Sequence, residues 1–464
     1  MYDVIIIGGG PAGYRAAERL GAGGRSVLLV EKLFIGGTCL NVGCIPTKTL
    51  LNAAKLYAHA RDAAKFGVVV DNVRFDMGRM MAWKQVILQK MRAGISSEMK
   101  RAKVTVLSAE ASIEGPGRVR LTEAEGSRVE ACKAILICSG SSPIIPPIPG
   151  LRDNPLVIDS TGILELTEAP RRLCVIGGGV IGVEFASLFS SLGCDVTVVE
   201  MQDEIIPFMD SDQAPVLRRA MNTVSWKLGC TVSSVEGATV KYTTKDGTEE
   251  SIEADLVLAA IGRRANLDGW GAEHVNLEHT RAGISVDDRM RTSAQGIWAA
   301  GDVTGRSLLA HAAYRMAEVA AADIEAALSG KSEDSEHMHW DAIPWAVYSL
   351  PEAAGVGLTE KEAKARGIET ACVKIPLRAS GRFVAENGFL AHGAVKLVSD
   401  KATGRILGIH GVGPYAAETI WGGAAIIEQK MSAADLSRLI LPHPTVWELL
   451  RDAAHQLEGQ AHEA

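Results

Sequence analysis

The sequence predicts an α/β fold with several domains, and three observations carry this prediction. The chain has 464 residues, which corresponds to about three domains of typical size. Apolar residues make up 47% and charged residues 22%, as in ordinary globular proteins. Glycine occurs 48 times, and one glycine-rich strand–helix–strand pattern occurs twice. Such repeated units are typical of parallel sheets with helices on their faces.

Charge and hydropathy exclude several classes of protein. The 48 basic and 55 acidic residues give a net charge of −7 without long runs of one sign, which argues against nucleic-acid binding. No apolar run reaches the roughly 18 residues of a membrane span. A strand-like segment begins at Val4, which leaves no room for a signal peptide after Met1. We therefore expect a cytoplasmic protein.

The repeat consists of an apolar strand, a glycine turn, a helix and a second strand that ends in glutamate. The second strands end at Glu31 and Glu200. In both copies the glutamate follows the first glycine by 23 positions, from 8 to 31 and from 177 to 200. This complete order is far more specific than an isolated GxGxxG. The glycines are Gly8, Gly10 and Gly13 in the first copy, and Gly177, Gly179 and Gly182 in the second.

Each residue type in the repeat suits a Rossmann-like dinucleotide-binding domain. The first glycine permits a tight turn, the second lets the backbone approach a pyrophosphate, and the third lets the helix pack on the strand. The helix N-terminus offers free amides to phosphate. Glu31 and Glu200 can accept hydrogen bonds from ribose hydroxyls. Two copies predict two dinucleotides, and Glu200 would repel a 2′-phosphate, which favours NAD over NADP at the second site.

Two cysteines follow the first unit in the segment GGTCLNVGCIPTK, residues 36–48. Cys39 and Cys44 lie at the start of a predicted helix whose apolar positions include Leu50, Leu51 and Leu56. A thiol near a helix N-terminus ionises more readily, and thiolates attack disulfides. No second pair lies at zinc-ligand spacing, so we expect no metal. The segment predicts a redox-active pair.

The other six cysteines stand singly among apolar or mixed neighbours, and we expect small buried hydrophobic residues there. They are Cys132, Cys138, Cys174, Cys194, Cys230 and Cys372.

His443 is the candidate acid–base residue. Pro442 and Pro444 restrict its backbone, and Glu448 follows at an expected helix start. A carboxylate that binds one ring nitrogen sets the tautomer and raises the basicity of the other nitrogen. The spacing alone leaves a surface or packing histidine open.

These motifs together resemble the pyridine nucleotide–disulfide oxidoreductases that carry FAD. The resemblance rests on residues 36–48, the second glycine unit, residues 299–302, residues 350–360 and the tail around His443. It covers essentially the whole chain, and within the family it most resembles the dihydrolipoyl dehydrogenases of 2-oxoacid dehydrogenase and glycine-cleavage systems. It implies FAD and NAD as cofactors, a homodimer, and a lipoyl-bearing protein as partner.

The resemblance also implies roles for individual residues. Lys48 would lie near the flavin N5 and pair with Glu184, and Asp302 would bind the ribityl chain. Without the resemblance, Asp302 could equally be a surface turn residue and Lys48 a solvated helix charge. Further flavin contacts are expected at Glu31, Thr38, Gly115, Ser139, Gly140, Ser141, Leu308, Leu309, Ala310 and His311. Nicotinamide nucleotide contacts are expected at Gly177, Gly179, Gly182, Glu184, Glu200, Val235 and Gly262.

The activity implied is oxidation of protein-bound dihydrolipoamide with reduction of NAD. His443 would take a thiol proton, the thiolate would attack Cys39, and Cys44 would lie nearest the flavin. His443 would reach the cysteines across a dimer interface. Two alternatives stay open: an NADH-dependent reductase of another small disulfide, and a non-catalytic flavoprotein subunit. Two departures from the family pattern lie near the substrate entrance: Leu441 replaces a common histidine, and residues 380–388 look longer.

The predicted fold is α/β, with two Rossmann-like domains for FAD and NAD and a C-terminal α+β dimerisation domain. The predicted boundaries are 1–148 for FAD binding, 149–265 for NAD binding, 266–335 for a central segment that completes the FAD domain, and 336–464 for the interface. Four prolines between 143 and 149 indicate an extended connector. The polar run 329–336 separates the last two parts.

Overall fold

The computed structural model describes residues 1–330 and 336–463. Along the chain, the elements form a mostly parallel sheet and then a second parallel sheet. The chain then returns to the first sheet, and its last region contains an antiparallel sheet. The predicted α/β class with a C-terminal α+β domain is therefore confirmed. The boundary at 335 and most of the polar run 329–336 lie outside the described residues, and the other domain boundaries stay predictions.

The first region begins with the predicted strand–turn–helix–strand unit. Its elements are β1 (Tyr2–Ile7), α1 (Pro11–Ala22), β2 (Val27–Glu31), α2 (Gly37–Val42), α3 (Cys44–Arg61), α4 (Met77–Arg101), β3 (Thr105–Ser108), β4 (Glu110–Gly115), β5 (Arg118–Glu123), β6 (Gly126–Ile137) and β7 (Ser141–Pro143).

The central strands β1 and β2 of the first sheet are buried on both faces. Strands β3, β2, β1 and β6 are parallel neighbours, and β5 and β4 extend the sheet in antiparallel fashion. Because side chains alternate along a strand, Val4 and Ile6 pack with α1 on one face, whereas Ile5 and Ile7 pack with β4 and β5 on the other. Covered faces on both sides explain why these strands are continuously apolar.

Leu56 is a wrong prediction within α3. Leu50 and Leu51 are buried as expected, but the Leu56 side chain is 62% exposed. The buried face continues through Ala54 and Ala58 at helical spacing, and residue 56 lies on the opposite side of the helix.

The second region repeats the unit and adds an antiparallel meander. Its elements are β8 (Val157–Ile158), β9 (Arg172–Ile176), α5 (Val180–Ser191), β10 (Asp195–Glu200), α6 (Ala214–Ala220), β11 (Val224–Leu228), β12 (Thr231–Glu236), β13 (Thr239–Thr243), β14 (Glu249–Glu253), β15 (Leu256–Ala259) and β16 (Arg263–Ala265). The parallel sheet has the order β11-β10-β9-β15-β8, and β16 pairs with β7 of the first region.

The chain then returns to the first sheet. The elements of this part are β17 (Ile297–Ala299) and α7 (Ala310–Ser329). Strand β17 pairs with β6 in parallel, and α7 packs against α1.

The last region is built on an antiparallel sheet of order β18-β19-β22-β21-β20. Its elements are β18 (Trp345–Val347), β19 (Ala353–Gly357), α8 (Glu360–Ala365), β20 (Thr370–Pro376), α9 (Gly381–Asn387), β21 (Ala394–Asp400), β22 (Ile406–Val412), α10 (Ala416–Glu428), α11 (Ala433–Ser437) and α12 (Leu449–Glu463). No helix in the described ranges combines the length and apolarity that crossing a membrane requires.

A buried ion cluster joins the second region to the last. The Lys396 ammonium in β21 donates to Asp210, Asp212 and Glu360 at 3.1, 2.9 and 2.8 Å. Asp210 is 1% exposed. Burial favours the neutral amine, but the hydrogen bonds to Glu360 and Asp212 and the charge of Asp210 outweigh it and raise the pKa of Lys396.

Replacing Lys396 should therefore destabilise the protein more than replacing an exposed lysine of the same sheet. Lys396→Met leaves the buried Asp210 carboxylate uncompensated, which should lower the free energy of unfolding by about 3–5 kcal/mol. The matched control is Lys374→Met, because the exposed Lys374 donates to the Asp212 carbonyl. It should change stability by about 0.5 kcal/mol or less. Urea unfolding followed by tryptophan fluorescence tests this, and equal losses in both variants would contradict it.

Candidate active site

Each glycine turn is locked to the end of its neighbouring strand by a glutamate. The Gly9 amide donates to Glu31 Oε2 at 2.7 Å, and the Gly178 amide donates to Glu200 Oε2 at 2.5 Å. The second oxygen of each carboxylate accepts from the amide two residues further along, at 2.8 and 2.7 Å. Because a carboxylate oxygen can accept more than one hydrogen bond, both glutamates can still receive a ribose hydroxyl.

The predicted glycines fall into two groups by what surrounds them. A Cβ on Gly13 or Gly182 would overlap the carbonyl oxygen of the first glycine in its own turn. A Cβ on Gly10 would meet nothing closer than 3.8 Å, and one on Gly179 nothing within 4 Å. The middle glycines therefore leave open space in front of the N-termini of α1 and α5, where a pyrophosphate fits. The two turns thus fit a dinucleotide each.

The two motif cysteines form a disulfide beside the first glycine turn. Cys39 lies in α2 and Cys44 is the first residue of α3, with their Cα atoms 4.7 Å apart. The Gly36 amide donates to the Gly9 carbonyl at 2.8 Å, which holds the disulfide segment against the turn.

An ion pair links the disulfide helix to the second glycine unit. Lys48 lies one helical turn after Cys44, and its ammonium donates to both Glu184 oxygens at 2.9 and 2.8 Å. Glu184 belongs to α5 and is 4% exposed. The Tyr348 amide also donates to this carboxylate, at 3.0 Å. The Lys48–Glu184 pair therefore fixes the position of the disulfide relative to the second glycine turn.

A second polar group lies where β7, β16 and the end of β17 meet. Ser141 Oγ donates to Asp302 Oδ2 at 2.6 Å. Burial raises the pKa of Asp302, and the Ser141 hydrogen bond and the Arg263 charge oppose this shift. Arg263 donates to the Ser141 hydroxyl and carbonyl at 2.8 and 2.6 Å, and to Thr38 Oγ1 at 3.4 Å.

Arg263 is a site residue that the sequence analysis missed. It brings the predicted Thr38, Ser141 and Asp302 together, and burial lowers the pKa of its guanidinium. The available sequence signal was the position of this basic residue directly after Gly262, an expected nucleotide contact.

Other predicted flavin contacts line the same edge. Ser139 and Gly140 are tied to Asn266, whose side chain donates to the Ser139 carbonyl at 2.9 Å and whose amide donates to the Gly140 carbonyl at 2.9 Å. Residues 308–311 form the start of α7, with Leu309 as N-cap and Ala310 as first helical residue. The first amides of a helix have no partner within it and can face a ligand. Leu308 is exposed, and His311 donates to the Pro344 carbonyl at 2.6 Å.

The structure argues against Gly115 as a flavin contact. Gly115 ends β4, and the turn that follows accepts a hydrogen bond at the Gly117 carbonyl from the Cys132 amide. Cys132 pairs with Tyr2 at the start of β1, whereas Gly8 follows the end of β1. Because Gly8 follows Tyr2 by six residues, Gly115 lies at the opposite end of the strands, roughly 20 Å from the turn at about 3.3 Å per residue. Gly115 therefore does not lie beside the turn where the flavin nucleotide is expected.

Ala109, by contrast, lies beside the first glycine turn. Its amide donates to the Glu31 carbonyl at 3.1 Å, directly after β3 pairs Ser108 with Glu31. Only the sheet order puts this segment beside the first glycine turn.

The two remaining predicted nucleotide contacts, Val235 and Gly262, lie beside the proline-rich connector. Val235 is buried, and its amide donates to the Pro149 carbonyl at 2.9 Å. The Gly262 carbonyl accepts from the Ile144 amide at 2.9 Å.

His443 lies on the loop before α12 with its ring oriented by Glu448. The distance from His443 Nδ1 to Glu448 Oε2 is 2.9 Å. The histidine side chain is 80% exposed, whereas that of Glu448 is 12% exposed. The half-buried carboxylate therefore orients the exposed imidazole ring.

The segment 380–388 that departs from the family pattern supports this loop. It contains α9, and Ser380 Oγ donates to the Thr445 carbonyl at 3.3 Å. Arg382 donates to the Pro444 carbonyl at 3.4 Å. Leu441, the other departure, is half-buried in the same loop.

The chain matches a known protein family over most of its length. Residues 2–317 match the family described as pyridine nucleotide-disulphide oxidoreductase, and residues 343–454 match the dimerisation domain of that family. The chain belongs to the pyridine nucleotide-disulphide oxidoreductase family. Dihydrolipoyl dehydrogenase 3 of Pseudomonas aeruginosa is 38% identical over 99% of this chain and 98% of its own. Dihydrolipoyl dehydrogenase of Thermus scotoductus is also 38% identical, with the same coverage.

Solved structures of this oxidoreductase family agree in fold. LpdA from Mycobacterium tuberculosis superposes with a TM-score of 0.87 at 27% identity, covering 98% of this chain and 100% of that one. The HOCl-induced flavoprotein disulfide reductase RclA from Escherichia coli, in its Cu(II) complex, gives 0.85 at 28% identity, with 98% and 99% covered.

The six single cysteines differ from the redox pair. Cys132, Cys138, Cys174 and Cys230 are buried as predicted, whereas Cys194 and Cys372 are half-buried. Burial raises the pKa of Cys132 to about 11 and of Cys174 to about 12. A thiol with such a pKa stays protonated at neutral pH and reacts slowly.

Alkylation should therefore distinguish two thiols from six. After mild reduction at pH 8, iodoacetamide should rapidly modify two cysteines per chain, Cys39 and Cys44, because the other thiols are buried or have raised pKa values. Peptide mass spectrometry checks this. Cys372→Ser should leave the rapid phase unchanged, and the double variant Cys39→Ser, Cys44→Ser should abolish it. A third cysteine modified equally fast would contradict the prediction.

Proposed function

We propose that this protein is a dihydrolipoyl dehydrogenase, which oxidises protein-bound dihydrolipoamide and reduces NAD. One observation carries the proposal: the Cys39–Cys44 disulfide lies against the first glycine turn, and Lys48 ties its helix to the second glycine unit. A redox disulfide between two dinucleotide sites can pass electrons from a dithiol to a nicotinamide. The relatives named dihydrolipoyl dehydrogenase support the same activity.

FAD belongs at the first glycine unit and NAD at the second. Glu31 would hold the FAD ribose, and Asp302 with Ser141 would meet its ribityl chain. Glu200 would hold the ribose of NAD. When bound, FAD would supply an acceptor for the electron pair of the reduced cysteines and a hydride donor for NAD.

The chain's own residues carry the thiol chemistry. His443 accepts a proton from one thiol of dihydrolipoamide, and the resulting thiolate attacks Cys39 Sγ. The Cys39–Cys44 bond breaks, a mixed disulfide forms, and Cys44 leaves as a thiolate. The second substrate thiol then attacks the substrate sulfur of the mixed disulfide, and its proton passes to the departing Cys39 sulfur, so that Cys39 is released as a thiol. The substrate dithiol is oxidised to a disulfide and the enzyme disulfide is reduced.

The working unit is a homodimer in which His443 of one chain serves the cysteines of the other. The match of residues 343–454 to the dimerisation domain supports this. The 80% exposure of the His443 side chain also supports it, because an oriented base turned to solvent suits a site completed by a second chain.

The partner is a lipoyl-bearing protein of a 2-oxoacid dehydrogenase or glycine-cleavage system. The six free thiols support a reducing compartment, and we propose the cytoplasm.

A second candidate is an NADH-dependent reductase of another small disulfide. The 28% identity to RclA over almost the full length favours it. Comparing turnover of dihydrolipoamide plus NAD with reduction of small disulfides by NADH decides between the two.

The cofactor preference should depend on Glu200. Its carboxylate would bind the ribose 2′-hydroxyl of NAD and repel the 2′-phosphate of NADP. Glu200→Gln should lower kcat/KM for NAD by about 10–100-fold, the worth of a charged hydrogen bond, and narrow the gap to NADP. Asp203→Asn is the control, because Asp203 is exposed in the loop after β10 and its carboxylate pairs with Lys245. Equal efficiency of the unmodified enzyme with both nucleotides would refute the assignment.

His443→Gln should slow dihydrolipoamide oxidation by about 10²–10⁴-fold, the usual contribution of a positioned general base. Hydride exchange between NADH and an NAD analogue should survive, since it moves no substrate thiol proton. Glu448→Gln should do less harm because it removes the orienting group and keeps the base.

The matched control is His455→Gln, which removes an exposed histidine beside a glutamate in α12. It should leave both assays unchanged. Full lipoamide turnover in His443→Gln would place the base elsewhere, and loss of both activities together would make His443 structural.

A further inference from the structure

Tyr348 meets the Lys48–Glu184 pair from the last region of the chain. It follows β18 directly, and its amide donates to Glu184 Oε1 at 3.0 Å. The Lys48 ammonium lies 4.5 Å from the centre of the Tyr348 ring. One residue therefore contacts both members of the pair, with its backbone on the carboxylate and its ring on the ammonium.

The backbone around Tyr348 is held independently of its side chain. The Leu350 amide donates to Ser187 Oγ at 2.8 Å, and Ser187 lies about one helical turn after Glu184 in α5. The segment 348–350 is thus tied to α5 at two successive points. A change in the Tyr348 side chain should leave this backbone in place.

The ring covers one side of a cation that is partly open to water. The Lys48 side chain is 31% exposed, whereas that of Glu184 is 5% exposed. The carboxylate covers one side of the ammonium and the aromatic ring another. An aromatic face attracts a cation, and the attraction strengthens where water is excluded.

The phenol acts here as a neutral ring. Burial, and then the charges of Glu184, Glu352 and Glu418, raise the pKa of the Tyr348 hydroxyl. At neutral pH the side chain therefore stays uncharged, and the ring is the part that faces Lys48.

We propose that Tyr348 is a positioning residue that keeps the Lys48 ammonium at the flavin side of the Glu184 pair. This rests on the proposed function, in which Lys48 lies near the flavin. Without the ring, the flexible lysine side chain would sample positions around Glu184 and in water. The average positive charge near the flavin would then fall.

The test measures the midpoint potential of the bound FAD without NAD or lipoamide. A nearby positive charge favours the reduced flavin because reduction adds negative charge. Tyr348→Leu should shift the potential in the negative direction, by less than Lys48→Met, which removes the charge altogether. Tyr348→Phe keeps the ring and should restore the wild-type potential. NADH–NAD-analogue exchange should slow by about two- to fivefold in Tyr348→Leu, the usual worth of a partly exposed cation–π contact.

A matched control weakens the packing between the second and last regions at a point away from Lys48. Phe208 packs edge-on against Trp345 of β18, with ring centres 5.3 Å apart. Phe208→Leu should leave the potential unchanged. Tyr348→Met is a second ring-free variant with a larger, flexible side chain, and it should shift the potential as Tyr348→Leu does.

Three results would overturn the proposal: wild-type potential in both ring-free variants, an equal shift in Tyr348→Phe, or an equal shift in Phe208→Leu. Failure of the proposed function shows up separately, as absence of lipoamide turnover in the unmodified enzyme, because the potential is measured without either substrate.

Discussion

The buried carboxylate of Glu184 is the contact on which the arrangement of the active centre depends. It receives hydrogen bonds from Lys48 in α3 and from the Tyr348 backbone, so one group of the second unit holds a helix of the first region and a strand end of the last. A carboxylate buried without such partners would be strongly unfavourable. Since α3 begins with Cys44, this pairing also sets the position of the redox disulfide relative to the second glycine turn.

The rest of the centre follows from two further constraints. Glu31 and Glu200 tie each glycine turn to the end of its neighbouring strand, so the same hydrogen-bonded corner is built twice and faces two nucleotides. At the other end of the chain, Glu448 and α9 hold His443 in an exposed loop. In the proposed mechanism, electrons move within one chain, whereas the proton acceptor His443 is exposed, so that a second chain completes the site.

Local patterns could be predicted from the sequence with good accuracy. Strand, glycine turn, helix and second strand lie within about 30 residues, so their spacing alone predicts the fold of each unit. The contact between His443 and Glu448 is local as well, because the two residues are five positions apart, but the spacing alone leaves the role of the histidine open. The wrong prediction at Leu56 also has a local cause. Leu56 is apolar, but helical spacing places it on the face opposite the buried Ala54.

By itself, the sequence determined the two glycine-turn units and the cysteine pair and predicted the contact between His443 and Glu448, because each depends on neighbours in the chain. Only the tertiary structure decided which distant groups meet. Lys48 and Glu184 are 136 residues apart, and the resemblance alone suggested their pairing. Arg263 reaches Ser141 across 122 residues. Strand pairing places Gly115 at the end of the first sheet that is opposite the glycine turn. Contacts of this kind are set by how sheets and helices stack, and no spacing along the chain encodes that stacking.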